Sequence, residues 1–103
     1  MKVIQIISEK IEEEIMDAKS YMKMAIKYKE EYPDLSRTLQ TIASQEIDHM
    51  NMLHDEVVSL IKRYRAEKGE PPQTMLAVYE YLHERQIEHY GEVKALMDMY
   101  KNA

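Results

Sequence analysis

"LQTIASQEIDHMNMLHDEV", residues 39–57, is the stretch on which the fold turns. Its apolar residues Leu39, Ile42, Leu53 and Val57 keep to steps of three and four around the gap they leave in the middle. That period describes a helix with one stripe turned to a core. Glu46 and His49 fill the gap, where Leu or Ile is expected. A carboxylate taken out of water is costly unless a partner or a cation neutralises it. The helix therefore needs a reason for this pair.

Outward from this stretch, proline and glycine act as punctuation. "EYPDLS" interrupts at Pro33, and the residue before a proline is pushed out of the α region. Asp34 is the expected N-cap of the next helix. "EKGEPPQT" interrupts again, with Gly69 read as a helix-ending residue and Pro71 and Pro72 blocking continuation. Between these marks the residues are strong helix formers. The expectation is an all-α protein of three long helices, about 2–31, 35–68 and 73–101, in a single domain over 1–103. Short connections make successive helices antiparallel.

The other two helices carry matching stripes. The first runs Ile4, Ile7, Ile11, Glu14, Ala18, Tyr21, Ala25, Tyr28 and is broken by Glu14. The third runs Met75, Tyr79, Leu82, Gln86, His89, Val93, Leu96, Tyr100 and is broken by Gln86 and His89. Glu14 lies 19 residues before Pro33 and Glu46 lies 13 after it, a stagger of about 9 Å at ~1.5 Å per residue. His49 and His89 lie 21 before and 19 after Glu70, at nearly one level.

Composition narrows the chemistry. There is no cysteine, which removes disulfides, thiolate metal sites and cysteine nucleophiles. A formal net charge of −5 argues against nucleic-acid binding and suits cations. No apolar run is long enough to span a membrane, and the N-terminus turns acidic too soon for a secretory signal. A cytoplasmic location is expected. The 9 methionines read as soft core filler.

Glu-x-x-His puts both side chains on one helix face, one turn apart. Carboxylate and imidazole donors together suit iron, manganese or zinc. Spacing alone is weak, since the chain holds 14 Glu and 4 His. Glu80 and His83 fit it too, but lie off the apolar stripe and read as a solvated face. His54 reads as a surface residue. A buried hydrogen-bond or ion-pair network is the plain alternative for Glu14, Glu46 and His49. It would call for Lys or Arg on the central stripes, which contain none; Lys23, Arg37 and Lys62 lie elsewhere. The metal reading is preferred. Gly91, in the middle of the third helix, implies either close approach of another helix or simple tolerance.

"EIMDAKSYMKMA" followed by "LQTIASQEIDHMNML" resembles the first helix pair of the ferritin-like superfamily, and of its rubrerythrin-type branch most nearly. The shared pattern is a Glu, a Tyr seven residues later, then Glu-x-x-His on the next helix: Glu14, Tyr21, Glu46 and His49. The resemblance covers about residues 8–60. It implies that Glu14 is a terminal iron ligand, that Glu46 bridges two irons and that His49 binds one. Tyr21, two turns beyond Glu14, reads as a core tyrosine with its hydroxyl bonded, or else as a donor to the metal ligands or a redox group. The implied activity is ferroxidase-like oxidation of Fe(II) by dioxygen or peroxide.

A ferritin-like chain carries two such helix pairs, whereas this one has a single pair and one more helix. The other half of a di-iron centre must come from a homodimer or higher homo-oligomer, as the short encapsulated ferritins resemble, or from His89 and Glu92 on the third helix. The missing cysteines exclude a rubredoxin-type iron centre in this chain, so an electron donor, or an encapsulating partner, would be separate. Two other readings stand beside this one. One is a non-catalytic ferritin-like assembly or interaction module. The other is a mononuclear zinc or manganese site that uses His89.

Overall fold

The computed structural model describes residues 2–102. It holds three helices, α1 (Lys2–Lys27), α2 (Pro33–Lys68) and α3 (Gln73–Asn102), with no strand among the described residues. The molecule is a rod of 56 × 18 × 18 Å. At ~1.5 Å per residue, the 36 residues of α2 alone account for that length.

The first corner differs from the expectation. α1 stops at Lys27, and residues 28–31 form a turn whose amides still bond backward, Tyr28 N–H to Met24 O and Tyr32 N–H to Tyr28 O. α2 begins at Pro33 rather than at residue 35. Asp34 is not its N-cap: that position is Tyr32, with no side-chain cap. Proline suits a first helical turn because no partner is needed for an N–H that it lacks. Asp34 instead sits inside the first turn, where negative charge favours the helix dipole, and pairs with Arg37. Ser36, buried, donates its hydroxyl to Ala25 O and ties the corner together.

These boundaries remove the stagger. Glu14 lies 13 residues before Lys27, and Glu46 lies 13 after Pro33. The two carboxylates are therefore level on neighbouring helices.

The second corner follows the sequence. Gly69 takes a positive φ of 81°, which an L side chain rarely adopts, and donates its N–H to Arg65 O. α3 restarts two residues after Pro71, which is buried.

The core is built by α1 and α2. α1 buries Ile4, Ser8, Ile11, Ile15, Ala18, Met22 and Ala25; α2 buries Ser36, Leu39, Ala43, Ile47, Met50 and Val57. Small residues at Ala18, Ala25 and Ala43 let the two backbones come close. α3 adds only Val93 and Gln86. It packs on α1, and among the described residues no Cα of α3 comes within 8 Å of a Cα of α2. Met22 and Met50 are core filler as expected, but Met16, Met24, Met52 and Met99 are exposed. Gly91 is exposed with nothing within 4 Å of where a Cβ would stand, so no helix approaches it closely.

Candidate metal centre

Glu14 on α1 and Glu46 and His49 on α2 converge. Each offers one ligand atom, and these atoms lie within 4.8 Å of one another. Among the described residues no other group of three acidic or histidine side chains meets in this way. The levelling at the first corner sets the height, and the Glu-x-x-His spacing puts both α2 donors on one flank.

The flank is not the core face that the stripes implied. The buried row of α2 runs through Ala43, Ile47 and Met50, one residue beyond Glu46 and His49. Glu46 is half-buried, the Glu14 side chain is 23 % exposed and that of His49 is 54 % exposed. On α1, the residues that make polar contacts with α3 are Ser8, Glu12 and Lys19. At about 100° per residue, Glu14 lies roughly 160° from Glu12 and 140° from Lys19 around the helix. The cluster thus sits on the side of the hairpin that α3 leaves open.

One atom in it is poorly served. Glu14 Oε2 is shut off from solvent and has no hydrogen-bond partner. His49 Nδ1 stands 3.6 Å from it, beyond hydrogen-bond range. No Lys or Arg pairs with Glu14, Glu46 or His49 among the described residues. An orphaned carboxylate oxygen beside a second carboxylate and an imidazole is the chemistry of a cation site. Two oxygen donors and one imidazole nitrogen fit iron, manganese or zinc.

The expected helix-3 donors go elsewhere. Glu92 forms an ion pair with Lys19, and that hydrogen bond holds its carboxyl below the usual range. His89 points Nδ1 at Glu12 Oε1, 2.5 Å away, but without the alignment of a hydrogen bond, so this nitrogen too has no proper partner. Arg85 approaches the same Glu12 at 3.7 Å. Gln86 is a structural group: it is buried and donates Nε2–H to Ser8 O. The level match between His49 and His89 does not bring them together, because α3 docks against the far side of α1.

Tyr21 stands two turns beyond Glu14, half-buried against the core, with no hydrogen bond to the described protein groups. Lys19 and Glu12 were not singled out in the sequence. Both lie off the apolar stripe of α1, and only the placement of α3 shows that they have partners. His83 is not on a solvated face as its position off the stripe implied. It is half-buried and stacked on His54, while Glu80 is exposed.

No helix among the described residues is long and apolar enough to cross a membrane. The sequence model of the rubrerythrin family matches residues 5–103. No curated protein and no solved structure matches the chain. The chain belongs to the rubrerythrin family, as a ferritin-like helical domain.

Proposed function

We propose that this rubrerythrin-family chain binds iron at Glu14, Glu46 and His49 and oxidises Fe(II), with a second copy of the chain completing the centre. The observation that carries this reading is Glu14 Oε2, buried, unpartnered and within reach of the two α2 donors. One chain supplies two carboxylates and one imidazole. Two chains related by a two-fold axis would supply four carboxylates and two imidazoles around one pair of ions.

The open flank supports a second copy. Glu14 and His49 are flanked along their rows by exposed Val3 and Met24 on α1 and Leu35 on α2. Tyr21 and Leu53 lie half-buried on the same rows. Covering this strip would dry the carboxylates and strengthen their hold on a cation.

In this reading Fe(II) is the substrate as well as the occupant. Two Fe(II) each lose one electron. Dioxygen takes both with two protons and leaves as hydrogen peroxide, or peroxide takes both with two protons and leaves as two waters. The chain's part is electrostatic: Glu14 and Glu46 hold negative charge at the seam, which favours the ferric product, and His49 fixes the site at its solvent edge. In this reading Tyr21, two turns beyond Glu14 along α1, serves as an electron donor to the site.

The test is iron content and the rate of Fe(II) oxidation in the purified protein. Wild type should hold iron in proportion to chains and consume Fe(II) faster than buffer. Glu46→Ala with His49→Ala should lose both. Unchanged iron and rate in that variant would refute the reading, and absence of any stoichiometric metal in wild type would favour a non-catalytic assembly. Zinc or manganese in place of iron would keep the site and change the chemistry.

A further inference from the structure

Two further histidines, apart from the Glu14–Glu46–His49 cluster, meet each other. His54 comes from α2 and His83 from α3, helices whose backbones stay apart. Their rings are 5.4 Å apart between centres and inclined by 23°. Both residues are half-buried. They open into a cleft of about 190 Å³, whose wall also includes Asn51 and Gln86.

The four histidines of the chain differ in how their nitrogens are used. His49 lies against Glu14, and His89 against Glu12. His54 and His83 have no ion pair and no hydrogen bond to any described protein group; their contacts are ring on ring. Tyr79 stacks on His83 at 5.8 Å and steadies that ring. Burial pushes the Tyr79 phenol up, so it stays protonated at neutral pH and does not compete as an anionic ligand.

We propose that His54 and His83 form a second metal site, a two-imidazole clamp that takes a late divalent ion such as Zn(II) and ties α3 to α2. Two imidazoles on one zinc, with Zn–N of about 2.0 Å and a tetrahedral angle, put their ring centres about 5 Å apart. The observed separation is already close to that value. The terminal torsion of a histidine is broad, so small ring rotations turn the nitrogens toward one point. The cleft has room for water to fill the remaining positions, and Asn51 lines the same wall. The donor set selects imidazole-seeking ions and rejects Mg(II) and Ca(II), which demand oxygen. The chain's net charge of −5 favours any cation.

The site shares no residue with the Glu14–Glu46–His49 cluster, so the two can be separated. Zn(II) is titrated by calorimetry into a background variant with Glu14→Gln, Glu46→Gln and His49→Gln, and into the same background with His54→Gln or His83→Gln added. The background should bind one Zn(II) per chain and rise in Tm on binding. Each added substitution should weaken binding at least tenfold and abolish the Tm rise, while circular dichroism without metal stays unchanged. Mg(II) should produce neither effect. Equal Zn(II) affinity in all three proteins, or no binding by the background, would overturn the proposal. The same titration in otherwise wild-type protein carrying only His54→Gln guards against a background that fails to fold: one class of site must vanish there and the other persist.

Discussion

α1 meets its two neighbours in opposite ways. Against α2 it presents Ile11, Ile15, Ala18 and Met22, all essentially inaccessible, to Ala43, Ile47 and Met50. Against α3 it presents polar groups: Ser8 O to Gln86, Glu12 to Arg85 and His89, and Lys19 to Glu92; just past its end, Lys29 in the turn donates to Tyr100 O. The first seam is held by apolar burial, which is non-directional and strong. The second adds ion pairs and hydrogen bonds to one buried valine, Val93, and to the half-buried Tyr79, Tyr90, Leu96, Met97 and Tyr100. The candidate metal centre is built wholly on the hairpin. α3 covers the other side of α1 and leaves the centre exposed.

The contrast can be broken most strongly from the hairpin side. Ile15→Ala removes a fully buried side chain from the core, and should cost about 2–5 kcal/mol in urea unfolding. A loss under 1 kcal/mol would mean that the first seam is not the main support. Gly91→Ala adds a methyl group to an exposed mid-helix position with nothing within 4 Å, and should stabilise α3 by about 1 kcal/mol. If it destabilises instead, another chain packs closely there.

The smallest expected effect is electrostatic. Lys19 holds the Glu92 carboxyl below its ordinary value of 4.5. A group with a lowered folded value contributes its stability in full above its unfolded value and loses it as pH falls through the lowered one. Acid should therefore loosen α3 before the hairpin. Amide exchange below pH 4.5 should speed up in α3 first. Lys19→Met should erase that difference between the helices; uniform loosening in both proteins would contradict the two-seam picture.

Much of this was legible in the sequence. Three helices and their two corners follow from Pro33, Gly69 and the Pro71–Pro72 pair acting on a helix-forming chain. Glu14, Glu46 and His49 were readable as a cluster because each interrupts an apolar row. The end of α1 was not readable, since residues 28–31 keep helix-like amide bonds while leaving the helix. That error created the apparent stagger between Glu14 and Glu46. Exposure of the cluster was missed because a row of period 3.5 and the buried row beside it differ by one residue, about 100° of turn. The positions of His89 and Glu92 depend on which side of α1 receives α3. That choice rests on Lys19 and Glu12, whose partners lie more than 70 residues away. Local patterns carry no such information.

The central claim is that Glu14, Glu46 and His49 are half of an iron centre that a second copy completes. Native mass spectrometry of Fe(II)-loaded protein, kept free of oxygen, tests it most directly. A dimer or an even-numbered assembly carrying two iron ions per pair of chains is expected, with Glu14→Ala losing the iron and much of the pairing. A monomer that holds iron in full, or a dimer whose iron is indifferent to Glu14→Ala, would contradict it.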